Sequence, residues 1–113
     1  MTDDDRMQQI DTVLSHVWMV RTFLKHSEEA EEDEELCEIH RALYDFMLAL
    51  GGPLASNDPA AYLKQAAKKI SKLRAASDLF AQIQPEISSH TNFKMAAVSL
   101  STAVRQVDEL LAG

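Results

Sequence analysis

The sequence is poor in the residues that interrupt helices and in the residue that cross-links chains. Three glycines and three prolines among 113 residues leave few sharp turns, so the elements between them must be long. The single cysteine, Cys37, excludes an internal disulfide and favours a reducing, cytoplasmic location. No apolar run approaches the roughly 20 residues that span a bilayer. The acidic residues after Met1 are unlike a secretory signal, and we expect a cytoplasmic protein with no membrane partner.

Basic residues are also scarce, with 11 Lys and Arg against 18 Asp and Glu and a net charge of −7. This acidity argues against nucleic acid as a partner. The charge is uneven, because residues 1–57 hold 13 acids and 4 bases (net −9) while residues 58–113 hold 5 acids and 7 bases (net +2). Such complementary halves favour packing against each other or head-to-tail association of two chains.

Apolar residues, 46% of the chain, recur at intervals of three and four in four segments. The predicted helices cover about residues 5–25, 33–50, 59–83 and 90–111. With short connections and no strand pattern, they predict an all-α fold, a single antiparallel up-down four-helix bundle that forms one domain over residues 1–113.

The predicted helix boundaries rest on a few capping and breaking residues. Asp58 and Pro59 suit the N-cap and first position of the third helix. Residues 51–53, Gly-Gly-Pro, are predicted to end the second helix, and Pro85 to end the third. The acidic run after the first helix contains neither Gly nor Pro, and we expect a turn within residues 26–33.

The first helix carries more apolar residues than one face can use. Trp18, Met19 and Phe23 fall outside its main apolar stripe, so this segment is apolar on nearly every side. A helix of that kind is covered on more than one side. The three residues therefore predict an interaction surface, either for a partner protein or for a second copy in a homodimer.

A basic residue, Arg21, lies close to the centre of the apolar stripe of the first helix. A guanidinium in that position requires an anion nearby. One interpretation is a structural ion pair with Glu29 or Glu32, and the other is a pocket that binds an anion within the bundle.

Two histidines lie at the edges of other apolar faces, His40 on the second helix and His90 on the flank of the fourth. Each alone is interpreted as a satisfied, partly buried histidine. Together with Arg21 they define the alternative hypothesis of an internal site for a small anionic ligand, because bundles place ligand sites between facing helices.

Motifs for metals and catalysis are nearly absent. Cys37 and His40 form one Cys-x-x-His half-site, but no Glu-x-x-His, His-x-x-x-His or calcium-loop pattern accompanies it. There is also no phosphate-binding glycine loop or Gly-x-Ser-x-Gly elbow. We expect no metal, no cofactor and no catalytic residues, and an interpretation as an enzyme is disfavoured.

Two short segments resemble family motifs. Residues 21–26 resemble the Arg-x4-His motif of HEPN ribonuclease domains, which are helical bundles of similar size. That resemblance implies a dimeric, RNA-cleaving cleft formed by Arg21 and His26, although the family's motif lies late in its chains. Residues 90–94 resemble the His-x-x-Lys-Gly core of histidine phosphotransfer domains, with the lysine one residue late and the glycine missing.

The leading hypothesis from the sequence is a non-enzymatic helical interaction or scaffold protein that self-associates or binds a partner helix. The alternative is the anionic-ligand site at Arg21, His40 and His90. A HEPN-like, RNA-related module is the third.

Overall fold

The chain folds into four long helices and one short one. A computed structural model describes all 113 residues. The helices are α1 (Asp3–Lys25), α2 (Glu28–Glu32), α3 (Glu34–Ala55), α4 (Pro59–Ile87) and α5 (Thr91–Ala112). The predicted all-α bundle is confirmed, and the predicted turn at residues 26–33 contains the short helix α2.

Contacts at both ends of the bundle fix the direction of α1 relative to α5. At one end, Arg6 donates from Nε to the carbonyl of Leu110 (2.9 Å) and from a terminal nitrogen to that of Leu111 (2.7 Å). At the other end, the rings of Phe23 and Phe93 pack edge to face with centroids 5.0 Å apart. The two helices are therefore antiparallel. Helix α1 packs between α3 and α5, and α4 lies diagonally opposite it and also contacts both.

One apolar core runs the length of the bundle and contains 26 buried residues. The α4 residues that recur at intervals of three and four are all buried, namely Leu63, Ala66, Ile70, Leu73, Ser77 and Phe80, and most of the corresponding residues of the other helices are too. Val13, Met47 and Leu110 are half-buried at the margins. Each fully buried aliphatic side chain stabilises the fold by about 1.5–3 kcal/mol, so the core is the main source of stability.

Two capping residues explain why the acidic segment breaks into separate helices. The Ser27 hydroxyl accepts a hydrogen bond from the amide of Ala30 at the start of α2. Six residues later, the Asp33 carboxylate accepts one from the amide of Leu36 at the start of α3. Each cap satisfies an amide that has no partner within its helix. Two successive caps thus start two helices without Gly or Pro.

The predicted end of the second helix at Gly51-Gly52-Pro53 is wrong, because α3 continues through these residues to Ala55. It ends instead at Asn57, whose φ of 49° is left-handed. The amides of Asn57 and Asp58 then donate to the carbonyls of Leu54 (3.0 Å) and Pro53 (2.9 Å), which is a Schellman motif.

The predicted end of the third helix at Pro85 is also wrong, since α4 continues to Ile87. Proline inside a helix costs about 3 kcal/mol. Here Ile83 is buried and Ile87 packs against the core, and the Gln84 side chain donates to the carbonyl of Ser88 (2.8 Å). Tertiary packing of the last turn therefore outweighs the local penalty.

None of the five helices combines the length and the hydropathy that crossing a lipid bilayer requires.

Candidate interaction site on the face of helix α1

The exposed large apolar side chains lie on three of the four long helices. Apart from Met1, the large apolar residues with substantial exposure all belong to α1, α3 and α5, and α4 has none. Trp18 lies beside Tyr44 of α3, and Met19 lines one groove with Met95 of α5; we call these four residues the α1 face. The other two exposed residues are Leu48 on α3 and Val98 on α5. Single exposed apolar residues are ordinary on protein surfaces. A group of exposed apolar side chains that continues from α1 onto both neighbouring helices is less ordinary and is typical of surfaces that bind other molecules.

A cation and two aromatic rings meet where α1 contacts α3. The rings of Trp18 and Tyr44 have centroids 6.4 Å apart and are tilted by 42°. The guanidinium carbon of Arg21 lies 4.8 Å from the centroid of Trp18 and 4.7 Å from that of Tyr44. Both distances are within the range of cation–π attraction. The arginine that the sequence singled out is therefore held by aromatic rings on two helices.

Arg21 has no carboxylate partner. The protein's ion pairs are Arg6 with Asp3 and Arg74 with Asp108. The ion pair predicted for Arg21 with Glu29 or Glu32 is thus wrong. Those two glutamates line a separate acidic groove of about 410 Å³ between the start of α3 and the end of α4.

The nitrogen atoms of Arg21 differ in their access to solvent. Nε is buried and has no hydrogen-bond partner. The terminal nitrogens also make no hydrogen bond within the protein but are not buried in this way. A buried donor without a partner costs roughly 1–3 kcal/mol. The aromatic contacts offset part of this cost and leave the terminal N–H groups free to bind an anion.

Further basic residues lie one helical turn from this contact, with Lys25 four residues after Arg21 on α1 and with His40 and Arg41 four and three residues before Tyr44 on α3. Burial lowers the pKa of His40 below its usual value, and the charges of Arg21, Arg41 and Lys25 lower it further. We call Arg21, Lys25, His40 and Arg41 the basic cluster. Three of the four Lys and Arg residues within residues 1–57 belong to it, although this half of the chain carries 13 acids. None of the four makes an ion pair.

The third residue of the predicted ligand site lies elsewhere. His90 is exposed at the N-cap of α5, where its Nδ1 accepts a hydrogen bond from the amide of Asn92 (3.0 Å). The expectation that His90 faces the interior is therefore wrong, because its ring takes the role that Ser or Asp usually has at a cap. The structure brings Arg21 and His40 together but not His90.

None of the principal cavities accompanies these residues. The five principal cavities of the molecule are all lined without Arg21, His40 or His90. Any anion bound by Arg21 would thus lie at the surface along α1 and α3.

The predicted interaction residues divide into two groups. Trp18 and Met19 are exposed, by 40% and 65%. Phe23 is half-buried against the core and packs on Phe93, so it contributes mainly to the fold. Met19 lines a shallow groove of about 340 Å³ together with Met95 of α5.

Of the residues that α3 supplies to the site, the sequence predicted His40 but not Tyr44 or Leu48. His40, Tyr44 and Leu48 follow one another at intervals of four, which places them in one row along a helix. The spacing of this row could therefore have predicted that Tyr44 lies near His40 on the same side of the helix. Its meeting with Trp18 and Arg21 depends on how two helices pack, which no local pattern specifies.

The motif resemblances gain no geometric support. Arg21 turns toward α3, whereas His26 is the exposed C-cap of α1. Five residues of helix separate the two directions by about 140°. Cys37 and His40 are half-buried on α3, and no group of three or more His, Cys, Asp or Glu side chains has an arrangement that could hold a metal ion.

Comparisons with known proteins return nothing, because no family model, curated protein or solved structure matches the chain.

Proposed function

We propose that this chain is a helical interaction protein that binds another protein, or a second copy of itself, through the α1 face. The observation that carries the proposal is the placement of every large exposed apolar side chain except Met1 on α1, α3 and α5. Burial of such side chains against a partner removes apolar area from water, which is the main driving force of most protein association.

The chemistry of the α1 face supports the same proposal. Trp, Tyr and Arg are the residue types most enriched among the side chains that dominate binding energy at interfaces. Trp18, Arg21 and Tyr44 are in mutual contact on this surface. Their contacts with one another also reduce the side-chain freedom that binding would otherwise remove, and such preorganisation favours affinity.

Self-association is tested by sedimentation velocity on the purified protein over a range reaching tens of micromolar. The test variant combines Met19→Ser with Met95→Ser, since both side chains are more than half exposed and their loss leaves the core intact. The matched control combines Ala67→Ser with Ala75→Ser on the exposed surface of α4. We expect a concentration-dependent dimer for the wild type and the control, and a monomer for the Met variant.

A monomeric wild type would remove the homodimer and leave a different protein as the partner. That form of the proposal is tested by titration of helical peptides while Trp18 fluorescence is recorded. Failure of both experiments, with no association and no peptide binding, would overturn the proposed function.

The second candidate function is an internal site for a small anionic ligand. Its one supporting observation is Arg21, which has a buried Nε without a partner and lies near His40. The separation of His90 and the lack of an enclosing cavity make this candidate weaker. A thermal-shift screen with phosphate- and carboxylate-bearing metabolites tests it, with Arg21→Gln as the variant that must abolish any shift.

A further inference from the structure

We propose that the basic cluster on α1 and α3 binds the carboxylates of an acidic helical segment of a protein partner. This inference rests on the proposed function and names the chemistry of the partner. It is drawn from the convergence of four basic groups without ion pairs beside the largest exposed aromatic residues of the protein.

Unpaired charge makes an acidic partner necessary. Any protein that covers Trp18 and Tyr44 also covers Arg21 and approaches the rest of the basic cluster. Removing these cations from water without an anion costs several kcal/mol per ion. An apolar or basic partner would leave them uncompensated, whereas a partner with carboxylates at this position would pair them.

The geometry of Arg21 suits a carboxylate in particular. The guanidinium carbon lies 4.8 Å from the ring centroid of Trp18 and 4.7 Å from that of Tyr44, and Nε is buried. The terminal nitrogens remain as donors at the free end. A planar guanidinium fork matches the two oxygens of a carboxylate, and such charge-assisted bonds are about twice as strong as neutral ones.

The surroundings of the cluster favour a protein segment over a small molecule. A small anion on an open surface would bury little area, and the principal cavities lie elsewhere. Tyr44 and Leu48 extend from the cluster along one row of α3, and Leu48 is 63% exposed. An amphipathic helix that places apolar side chains on this row and glutamates on the cluster would use both features.

The same surroundings disfavour nucleic acid. Seven acids within residues 28–35 begin three residues after Lys25, and the whole chain has a net charge of −7. A long polyanion would meet this acidic segment as soon as it extended beyond the basic cluster. A short acidic segment of a protein can contact the basic cluster without extending over residues 28–35, so it avoids that repulsion.

Binding at the basic cluster is measurable by fluorescence, because Trp18 contacts Arg21 and is the only tryptophan of the chain. The probe is a synthetic amphipathic helix with glutamates beside a row of leucines, and its counterpart has lysine in place of each glutamate. Both are titrated into the protein while Trp18 fluorescence is recorded. We expect a saturable change with the glutamate peptide, no saturable change with the lysine peptide, and weaker binding as NaCl is added.

Two variants distinguish binding at the basic cluster from nonspecific attraction between the protein and the peptide. Arg21→Gln keeps a polar side chain of similar length and should weaken binding about tenfold, the effect of losing roughly 1.4 kcal/mol of interaction. Lys64→Gln removes one charge from the exposed surface of α4 and should leave affinity unchanged. Circular dichroism confirms that each variant is folded.

Several outcomes would overturn the inference. They are the absence of a saturable change, equal affinity in Arg21→Gln and wild type, and tighter binding of single-stranded RNA or inorganic phosphate than of the glutamate peptide.

A peptide of residues 27–36 of this chain is a further probe. Its binding, together with a dimer in sedimentation, would identify a second copy as the acidic partner. A wild-type dimer that dissociates in the Met19→Ser, Met95→Ser variant would keep the proposed function even where the acidic peptide fails.

Discussion

The guanidinium carbon of Arg21 lies 4.7 Å from the ring centroid of Tyr44, across the contact between α1 and α3. This contact, with the similar one to Trp18, holds an arginine at a helix seam without a carboxylate. Cation–π contacts contribute about 0.5–2 kcal/mol each, depending on how far the cation is desolvated. They stabilise the side chain without neutralising it, so the positive charge stays available at the surface.

Replacement of Arg21 distinguishes this arrangement from a structural ion pair. Arg21→Met keeps an unbranched stem over the rings and removes a donor that has no partner, so we expect a loss of no more than about 1 kcal/mol in the free energy of unfolding. Arg21→Ala also loses the packing and should cost about 1–3 kcal/mol. Urea denaturation measures both. A loss of about 3–5 kcal/mol in Arg21→Met would indicate a broken buried ion pair and contradict the geometry described here.

The glycines of α3 provide a test of the helix end that the sequence misplaced. Gly51 and Gly52 are exposed, have helical conformation, and a Cβ at either would meet nothing within 4 Å. Gly51→Ala and Gly52→Ala should each raise the free energy of unfolding by about 0.5–1 kcal/mol, because alanine loses less backbone entropy in a helix.

Asn57→Ala is the opposing control for the glycine variants. Asn57 has a φ of 49°, which disfavours a residue with a Cβ and no side-chain hydrogen bond. Asn57→Ala should therefore lower the free energy of unfolding. Loss of stability in either glycine variant would mean that α3 ends before Gly51, as the sequence pattern first suggested.

The predictable parts of the fold are those determined by local spacing. The buried positions of α4 follow a period of three and four residues, and Asp58 caps its start as expected, accepting from the Ala61 amide (3.1 Å). The helix ends predicted at Pro53 and Pro85 were wrong for a physical reason. The free-energy cost of a proline inside a helix is local, whereas packing and capping of the residues beyond it compensate for that cost.

The site was only half predictable for a related reason. The helical wheel places Arg21 close to the centre of the apolar stripe, whereas the residue is half-buried at the edge of the core. Its actual partners, Trp18 and Tyr44, are exposed aromatics whose meeting depends on the axial alignment of α1 with α3. The acidic residues after the first helix therefore suggested a glutamate as the partner of Arg21. No sequence pattern indicated that aromatic rings would contact the cation instead.

Tyr62 is a buried phenol whose removal should not harm the protein. Its side chain is fully buried and its hydroxyl has no hydrogen-bond partner. A buried polar group left unpaired costs about 1–3 kcal/mol, so Tyr62→Phe should preserve or raise stability. Tyr62→Leu is the control, since it alters the shape of the core and should destabilise. A loss above about 1 kcal/mol in Tyr62→Phe would reveal a hydrogen bond that the structure lacks.

The same phenol links stability to high pH. Burial raises the pKa of Tyr62, and the charge of Asp11 raises it further. Its folded-state pKa lies above the unfolded value of about 10, so its contribution to stability is complete below that pH and declines as the pH rises above it. Urea midpoints between pH 9 and pH 11 should fall less in Tyr62→Phe than in the wild type. Equal slopes would place the phenol in contact with water.

His40 should make stability and binding respond to acid in opposite directions. Burial and the charges of Arg21 and Lys25 on α1 and of Arg41 on α3 lower its pKa in the folded protein. The neutral ring therefore stabilises the fold above the unfolded pKa of about 6.5, and this contribution is lost as the pH falls through the lower folded-state pKa. A bound carboxylate favours the protonated ring, so affinity for the glutamate peptide should rise over the same interval.

The experiment compares the wild type with His40→Gln between pH 7 and pH 5, where glutamates of the peptide remain mostly ionised because their usual pKa is about 4.3. Urea denaturation should show a smaller loss of stability on acidification in the variant, and peptide titration should show a smaller gain in affinity. His16→Gln, on the exposed surface of α1, is the matched control and should behave as the wild type. A gain in affinity that persists unchanged in His40→Gln would assign the pH dependence to another group and remove His40 from the binding site.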